Sequence, residues 1–287
     1  MKKLFTLLAL TITFSMNAQV STNNVSPTGI YASAMGNGTT ASGNESTAIG
    51  YQSSASGGYS TAMGRGTTAS GYYSTAMGLY TTANGYASTA MGWGTTASGE
   101  ASTAMGEGTT ASGRRSTALG KTTIASDFAS LVIGQYNSSG SSATSANSFS
   151  TSAPAFVIGN GTSGSLSDAF KVMFNGDATV SNDLTVSGDV VISSDARLKS
   201  NIVSLGPTLS KLLQIDGKSY EMKGKQKIGV LAQEIQEVFP ELVSEDDNEM
   251  LAVNYQGLVP VLINALKEQE DKISRLENLV EQLILEK

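Results

Sequence analysis

The chain contains no cysteine and no histidine. The first absence removes disulfides and thiol nucleophiles. The second removes histidine bases and, with cysteine also gone, the usual zinc sites. A metal would need an all-oxygen site, and no EF-hand-like spacing of acids occurs. Neither a metal nor a cofactor is expected. Basic residues are few: 18 Lys+Arg stand against 24 Asp+Glu, a net charge of −6. That gives no basic field for nucleic acid. No apolar run is long enough to predict a membrane span. The charges that do occur are unevenly placed. Residues 194–287 hold 11 Lys+Arg and 16 Asp+Glu, whereas residues 19–193 hold only 5 and 8. Two different kinds of structure are joined.

Lys2 and Lys3, the short apolar run 4–14 and the small residue Ala18 form the pattern of a signal peptide over 1–18. The mature chain is expected to be exported, either secreted or held at the cell surface.

What the sequence has in abundance is a repeat. Ala34-Met35-Gly36 recurs as Ala48-Ile49-Gly50, Ala62-Met63-Gly64, Ala76-Met77-Gly78, Ala90-Met91-Gly92, Ala104-Met105-Gly106, Ala118-Leu119-Gly120 and Val132-Ile133-Gly134. Each step is 14 residues. A second element, Ala41-Ser42-Gly43 and its successors, keeps the same period. Fourteen residues are too few for a helical hairpin but suit two short strands and two tight turns, with Gly for the corners. Stacked coils bring Met35, Ile49, Met63 and their equivalents into one apolar ladder. Low-complexity disorder does not require such a phase-locked apolar position.

The unit Ser-Thr-Ala-Met-Gly followed by Ala-Ser-Gly resembles the head repeat of trimeric autotransporter adhesins of the YadA type. The resemblance covers roughly Ala32 to Gly134 and implies a parallel left-handed β-roll, trimerised side by side, so that 19–134 is expected to be the head. One departure is Thr47, Thr61, Thr75, Thr89 and Thr103, where that family often has larger aliphatics. Tyr51, Tyr59, Tyr72, Tyr73, Tyr80, Tyr86 and Trp93 occupy variable repeat positions. They offer either a face for a cell-surface, matrix or glycan ligand or cross-coil stacking on a solvated surface.

Beyond Gly134 the period fails. The Ser/Ala/Asn-rich segment 138–152 reads as a loop or flexible joint. Phe156-Val157-Ile158-Gly159 echoes the repeat out of phase. Short alternating strands are predicted at 171–174, 178–180 and 184–186, with turns at Asn175-Gly176 and Ser187-Gly188. Residues 135–192 are thus a linker and β stalk.

The informative chemistry lies at Ser193-Ser194-Asp195-Ala196-Arg197-Leu198-Lys199. This stretch resembles the opening motif of the endosialidase-type intramolecular chaperone, a self-processing Ser/Lys peptidase family. The block running from Ile228 to Ile235 and the later Val253-Asn254-Tyr255 agree with it. The resemblance implies an α+β chaperone domain over 193–287 that trimerises the chain and cuts it once, between Ser193 and Ser194. Ser194 is then the nucleophile and Lys199 the base, a single-turnover serine endopeptidase with no external substrate. Asp195 and Arg197 take supporting roles. Without histidine, lysine is the obvious base, and it must be neutral to act, so an apolar pocket around Lys199 is expected. Five residues on a regular helix turn about 500°, so Ser194 and Lys199 cannot share a helical face. Either the chain bends between them or the pair forms across protomers. The plainer reading makes Ser194 a helix N-cap and Asp195 a first-turn acid.

From Leu258 the pattern is helical. Leu266, Ile273 and Val280 are spaced by heptads, as are Leu262, Gln269, Leu276 and Leu283, giving a coiled coil over 258–286. β-Branched residues at a with Leu at d favour dimers, whereas the two resemblances favour a homotrimer, which is the expectation retained. The overall class is mainly β with a C-terminal α part. The alternative to self-cleavage is an uncleaved structural or adhesive trimer with the C-terminal domain as a cap. An enzyme acting on external polysaccharide is disfavoured, because the head shows no paired acids flanked like a glycosidase site.

Overall fold

A computed structural model describes residues 22–246 and 249–286; the signal peptide expected over 1–18 lies outside them. The chain divides into two compact units, Met1–Asp189 and Val190–Lys287.

The first unit is a parallel β-solenoid. Each coil contributes one five-residue strand, such as Thr47–Tyr51, Thr61–Arg65 or Thr75–Leu79, and one two-residue strand, such as Ser54–Ala55, Thr68–Ala69 or Thr82–Ala83. Thr and the alternating pattern favour extended backbone, and a Gly precedes the turn in each half, as Gly43 and Gly50 do. The long strands stack in parallel with identical residues opposite one another, Thr89 on Thr103, Ala90 on Ala104 and Met91 on Met105. The short strands form a separate eight-stranded sheet.

The core between the sheets is alanine. Ala41, Ala48, Ala55, Ala62 and their successors to Ala125 are completely buried, two from every coil. The methionine ladder forms, but it lies on the outer face of the long-strand sheet, where Met63 is 38% and Met105 39% exposed. Side chains alternate along a strand, so if Ala48 and Gly50 face inward, Ile49 must face out. The carbonyl oxygen of Gly64 lies where a Cβ on Gly50 would sit, and that of Gly71 where a Cβ on Gly57 would sit. The glycine columns are therefore required by the close approach of successive coils along the stack.

Buried hydroxyls reveal a finer repeat. Thr39, Ser46, Ser53, Ser60 and Thr67 begin a column at every seventh residue, each two residues before a buried alanine. One coil is therefore two near-equivalent halves. Each half ends in a corner residue at positive φ, for example Glu45 (55°), Gln52 (52°), Tyr59 (57°), Gly66 (62°) and Tyr73 (58°). The corner N–H groups pair with the preceding coil, as Gln52 N donates to Asn37 O at 2.8 Å.

The solenoid ends in a built cap. Strand Pro154–Asn160 continues the long-strand sheet with Ile133 opposite Ile158, a step of 25 residues rather than 14. Phe156-Val157-Ile158-Gly159 is thus in register with the coils, and the intervening insertion closes the stack. That segment is tied down rather than a flexible joint. Asp127 stands opposite Gly113, in the glycine column, and its buried carboxylate accepts from Thr144 N and Ser145 N at 2.6 Å each. The Asp168 carboxylate accepts from Ser138 N and Ser139 N at 2.9 and 2.8 Å. Strands Asp168–Met173 and Ala178–Val180 then pair antiparallel, so no further parallel coil can add. The strand expected at 184–186 does not form in the single chain.

The second unit is small and α+β. Two hairpins, Lys218–Met222 with Lys225–Gly229 and Val243–Glu245 with Leu251–Val253, flank the helix Ala232–Val238. Ile235, Val238 and Phe239 pack with Val261 to form its core. The C-terminal helix Leu258–Leu285 has 28 residues but buries only Val261 and Ala265. Its remaining apolar face, with Leu266, Ile273, Leu276, Val280 and Leu283, is exposed. Among the described residues no helix is long and apolar enough to cross a membrane.

Candidate self-cleavage site

Lys199 Nζ donates to Ser194 Oγ at 2.7 Å within one chain. Of the two routes open to the sequence, a bend or a pair across protomers, this geometry is the bend. Residues Ala196–Leu198 form a single 3-10 turn, and Lys199 leaves it in extended conformation at φ −119°, ψ 147°. The abrupt exit swings the lysine back to the serine it could not meet on a regular helix.

Asp195, not Ser194, caps this turn. Its carboxylate accepts from Arg197 N at 2.8 Å and from Arg197 Nη2 at 2.6 Å. The Arg197 side chain, and after it the Arg197 backbone N–H, hold the Asp195 carboxyl below its ordinary range; the same contact raises Arg197. The motif's acid and base thus stabilise the bend itself, one residue on either side of Ala196.

All residues from Ser193 to Lys199 are exposed. The apolar pocket expected around Lys199 is not supplied by its own chain. Val190, Val191, Ile192, Leu198 and Ile202 surround the pair in sequence and are also exposed. Among the described residues no cluster of His, Cys, Asp and Glu could hold a metal ion.

The other two motif blocks meet in the folded core. Ile235, from the block starting at Ile228, is fully buried, and Val230 N donates to Tyr255 Oη at 3.2 Å. A Cβ on Gly229 would meet that Tyr255 hydroxyl, so the tyrosine end lies directly against the glycine. Two partners were not legible in the sequence. Buried Thr208 donates from Oγ1 to Val261 O at 3.0 Å, and Glu268 accepts from Leu209 N at 3.1 Å. Together they dock the short helix Leu209–Leu212 on the C-terminal helix. No local pattern marks a pair sixty positions apart; only the buried threonine's need for a partner does.

Comparison with known families agrees with these two architectures. Overlapping matches to the YadA head domain repeat run over 28–53, 41–67, 55–81, 69–95, 83–108 and 97–123. A peptidase family described as the chaperone of endosialidase matches 194–244. No curated protein matches the chain. The solenoid is thus similar to YadA head repeats over 28–123, and residues 194–244 are similar to the chaperone of endosialidase.

Proposed function

We propose that the protein is an exported, homotrimeric, adhesin-like fibre whose C-terminal domain assembles the trimer and then removes itself. The cut falls between Ser193 and Ser194. The observation that carries the cleavage step is the 2.7 Å contact from Lys199 Nζ to Ser194 Oγ.

In this reading the neutral Lys199 amine takes the Ser194 hydroxyl proton as Oγ attacks the Ser193 carbonyl carbon. The C–N bond breaks, the proton passes to the freed α-amine of Ser194, and an ester joins Ser193 to Oγ. Water then hydrolyses the ester, leaving a carboxylate on Ser193 and restoring the hydroxyl. A lysine base must shed its charge, which burial promotes. Lys199 is exposed in the single chain. The reading therefore puts the working state in the trimer, where neighbouring copies cover the apolar run around the pair. Three exposed apolar features support the trimer: that run, the methionine face of the roll and the heptad face of the C-terminal helix. Near-identical coils also have a register problem, and a chaperone that starts the chains in step removes it.

Exposure of Lys199 equally favours a second reading, an uncleaved trimer that keeps its C-terminal domain as a cap. Denaturing gels of the exported wild type, Ser194→Ala and Lys199→Ala separate the two. Self-cleavage predicts a C-terminal fragment starting at Ser194 in the wild type alone. An intact chain in a folded trimer leaves the cap.

A further inference from the structure

The solenoid has two corners, and their side chains differ in kind. At the corner after the long strands, Arg65 lies 5.6 Å from the Tyr51 ring and 6.0 Å from Tyr80, so those rings are already covered by a cation. At the corner after the short strands, tyrosines crowd together. Tyr59 stacks on Tyr73 at 5.1 Å, and Tyr72 on Tyr86 at 6.2 Å with an interplanar angle of 7°.

The fold does not demand aromatics here. Tyr31, Tyr59 and Tyr73 hold φ values of 57–58°, and the same corner in later coils is made by Ala87 and Ala101 at 52° and 55°. Bulky residues are uncommon at positive φ, so the tyrosines exceed what the backbone needs.

Beside the stack is a groove of about 460 Å³ lined by Tyr31, Asn44, Glu45, Ser56, Tyr59 and Tyr72. Its floor depends on Gly58: a Cβ there would strike the Tyr72 ring, so the ring lies across the glycine. Asn44 Oδ1 accepts from Ile30 N at 3.2 Å, which fixes the amide and leaves its NH2 to donate. Hydrogen bonding to the Glu45 carboxylate, and then that group's charge, raise the Tyr59 hydroxyl above its ordinary range.

We propose that this groove binds a neutral glycan chain, with pyranose C–H faces on the tyrosine rings and sugar hydroxyls on Glu45, Asn44 and Ser56. Flat aromatic faces interleaved with an amide, a carboxylate and a hydroxyl match a ligand that alternates C–H faces with hydroxyl edges. Glu45 disfavours an anionic sugar. A quaternary ammonium would also suit tyrosines and a carboxylate, but that attraction is weaker where the rings are open to water. Here Tyr31 is 87% exposed and Tyr72 46%. Single sites of this openness bind weakly, and a trimer would present three, gaining by avidity.

The proposal deepens the adhesin-like reading and rests on it. The test uses the full exported chain against immobilised β-glucan, chitin and mannan oligosaccharides, with sialyllactose and a trimethyl-lysine peptide as the other arms. Oligomeric state is measured separately by sedimentation. The expected result is retention on at least one neutral oligosaccharide, weakened about tenfold by Tyr72→Ala. Gly58→Ala, which displaces only that ring, should act in the same direction, and Trp93→Ala at the opposite corner should not. No neutral retention, retention indifferent to both Tyr72→Ala and Gly58→Ala, or retention on the peptide or sialyllactose alone overturns the proposal. A trimer that ignores glycans defeats this inference only; a monomer that binds them defeats the trimer only.

Discussion

Gly78 and Gly92 stand one coil apart, with the Gly92 carbonyl oxygen in the place a Cβ on Gly78 would occupy. Gly78 also holds φ at +120°, outside the range of L side chains. Gly94 sits at φ +63° in the next corner with nothing within 4 Å of its would-be Cβ. The two glycines serve different needs, close approach and corner geometry. Gly78→Ala is expected to cost about 3 kcal/mol or more, because the neighbouring strand must move. Gly94→Ala should cost only about 1–2 kcal/mol. Guanidinium unfolding of the full chain, followed by circular dichroism, checks the ranking.

The column of buried hydroxyls gives a second contrast. Thr81 Oγ1 is buried and has no hydrogen-bond partner, whereas Ser88 Oγ donates to Gly85 O at 2.8 Å. An unpaired buried hydroxyl weakens the fold, and a paired one supports it. Thr81→Val, nearly isosteric, should stabilise the solenoid by about 1 kcal/mol, and Ser88→Ala should destabilise it by a similar amount. Equal effects of the same sign would remove the distinction.

Corner strain supplies a third test. Ala101 holds φ +55° where other corners carry Gly66, Gly94 and Gly108. A left-handed alanine costs about 1–2 kcal/mol, against about 0.5–1 kcal/mol of extra chain entropy for glycine. Ala101→Gly should therefore be neutral to stabilising by about 1 kcal/mol, read from the same unfolding curves.

The 14-residue period was legible because every coil meets its neighbour through the same residues, so the chain repeats what the packing repeats. Which residue fills the core was not read from it, yet a sign was present. The position two after each buried hydroxyl is Ala in both half-coils, Ala41 as much as Ala48, whereas the next position alternates Ser42 with Ile49. A site that accepts serine in every second half cannot be the apolar core. The motif drew Ser194 and Lys199 together as a candidate pair, but the bend that brings them into contact depends on a single 3-10 turn pinned by Asp195 and Arg197. The cap at Asp127 was hidden because an insertion breaks the period where the coils stop. The docking of Thr208 and Glu268 joins residues sixty apart and leaves no periodic trace.

Glu268 makes the second unit sensitive to acid. It accepts backbone hydrogen bonds from Thr208 and Leu209 while lying on the C-terminal helix. The Thr208 N–H is the largest cause that lowers its folded pKa; the Leu209 N–H, the Thr208 hydroxyl and the charge of Lys272 act in the same direction. A depressed folded pKa means that the carboxylate's contribution is fully present above the unfolded value and is lost as pH falls through the folded one. Asp195, lowered by Arg197, titrates with the same sign, so the wild-type curve alone cannot isolate Glu268. Glu268→Gln does: its amide oxygen still accepts from the two N–H groups, but it no longer titrates. The variant should be less stable than wild type at neutral pH and converge on it in acid. Helical circular dichroism of both chains across that range is the measurement, and a gap that persists below the carboxylate range would assign the loss to packing rather than charge.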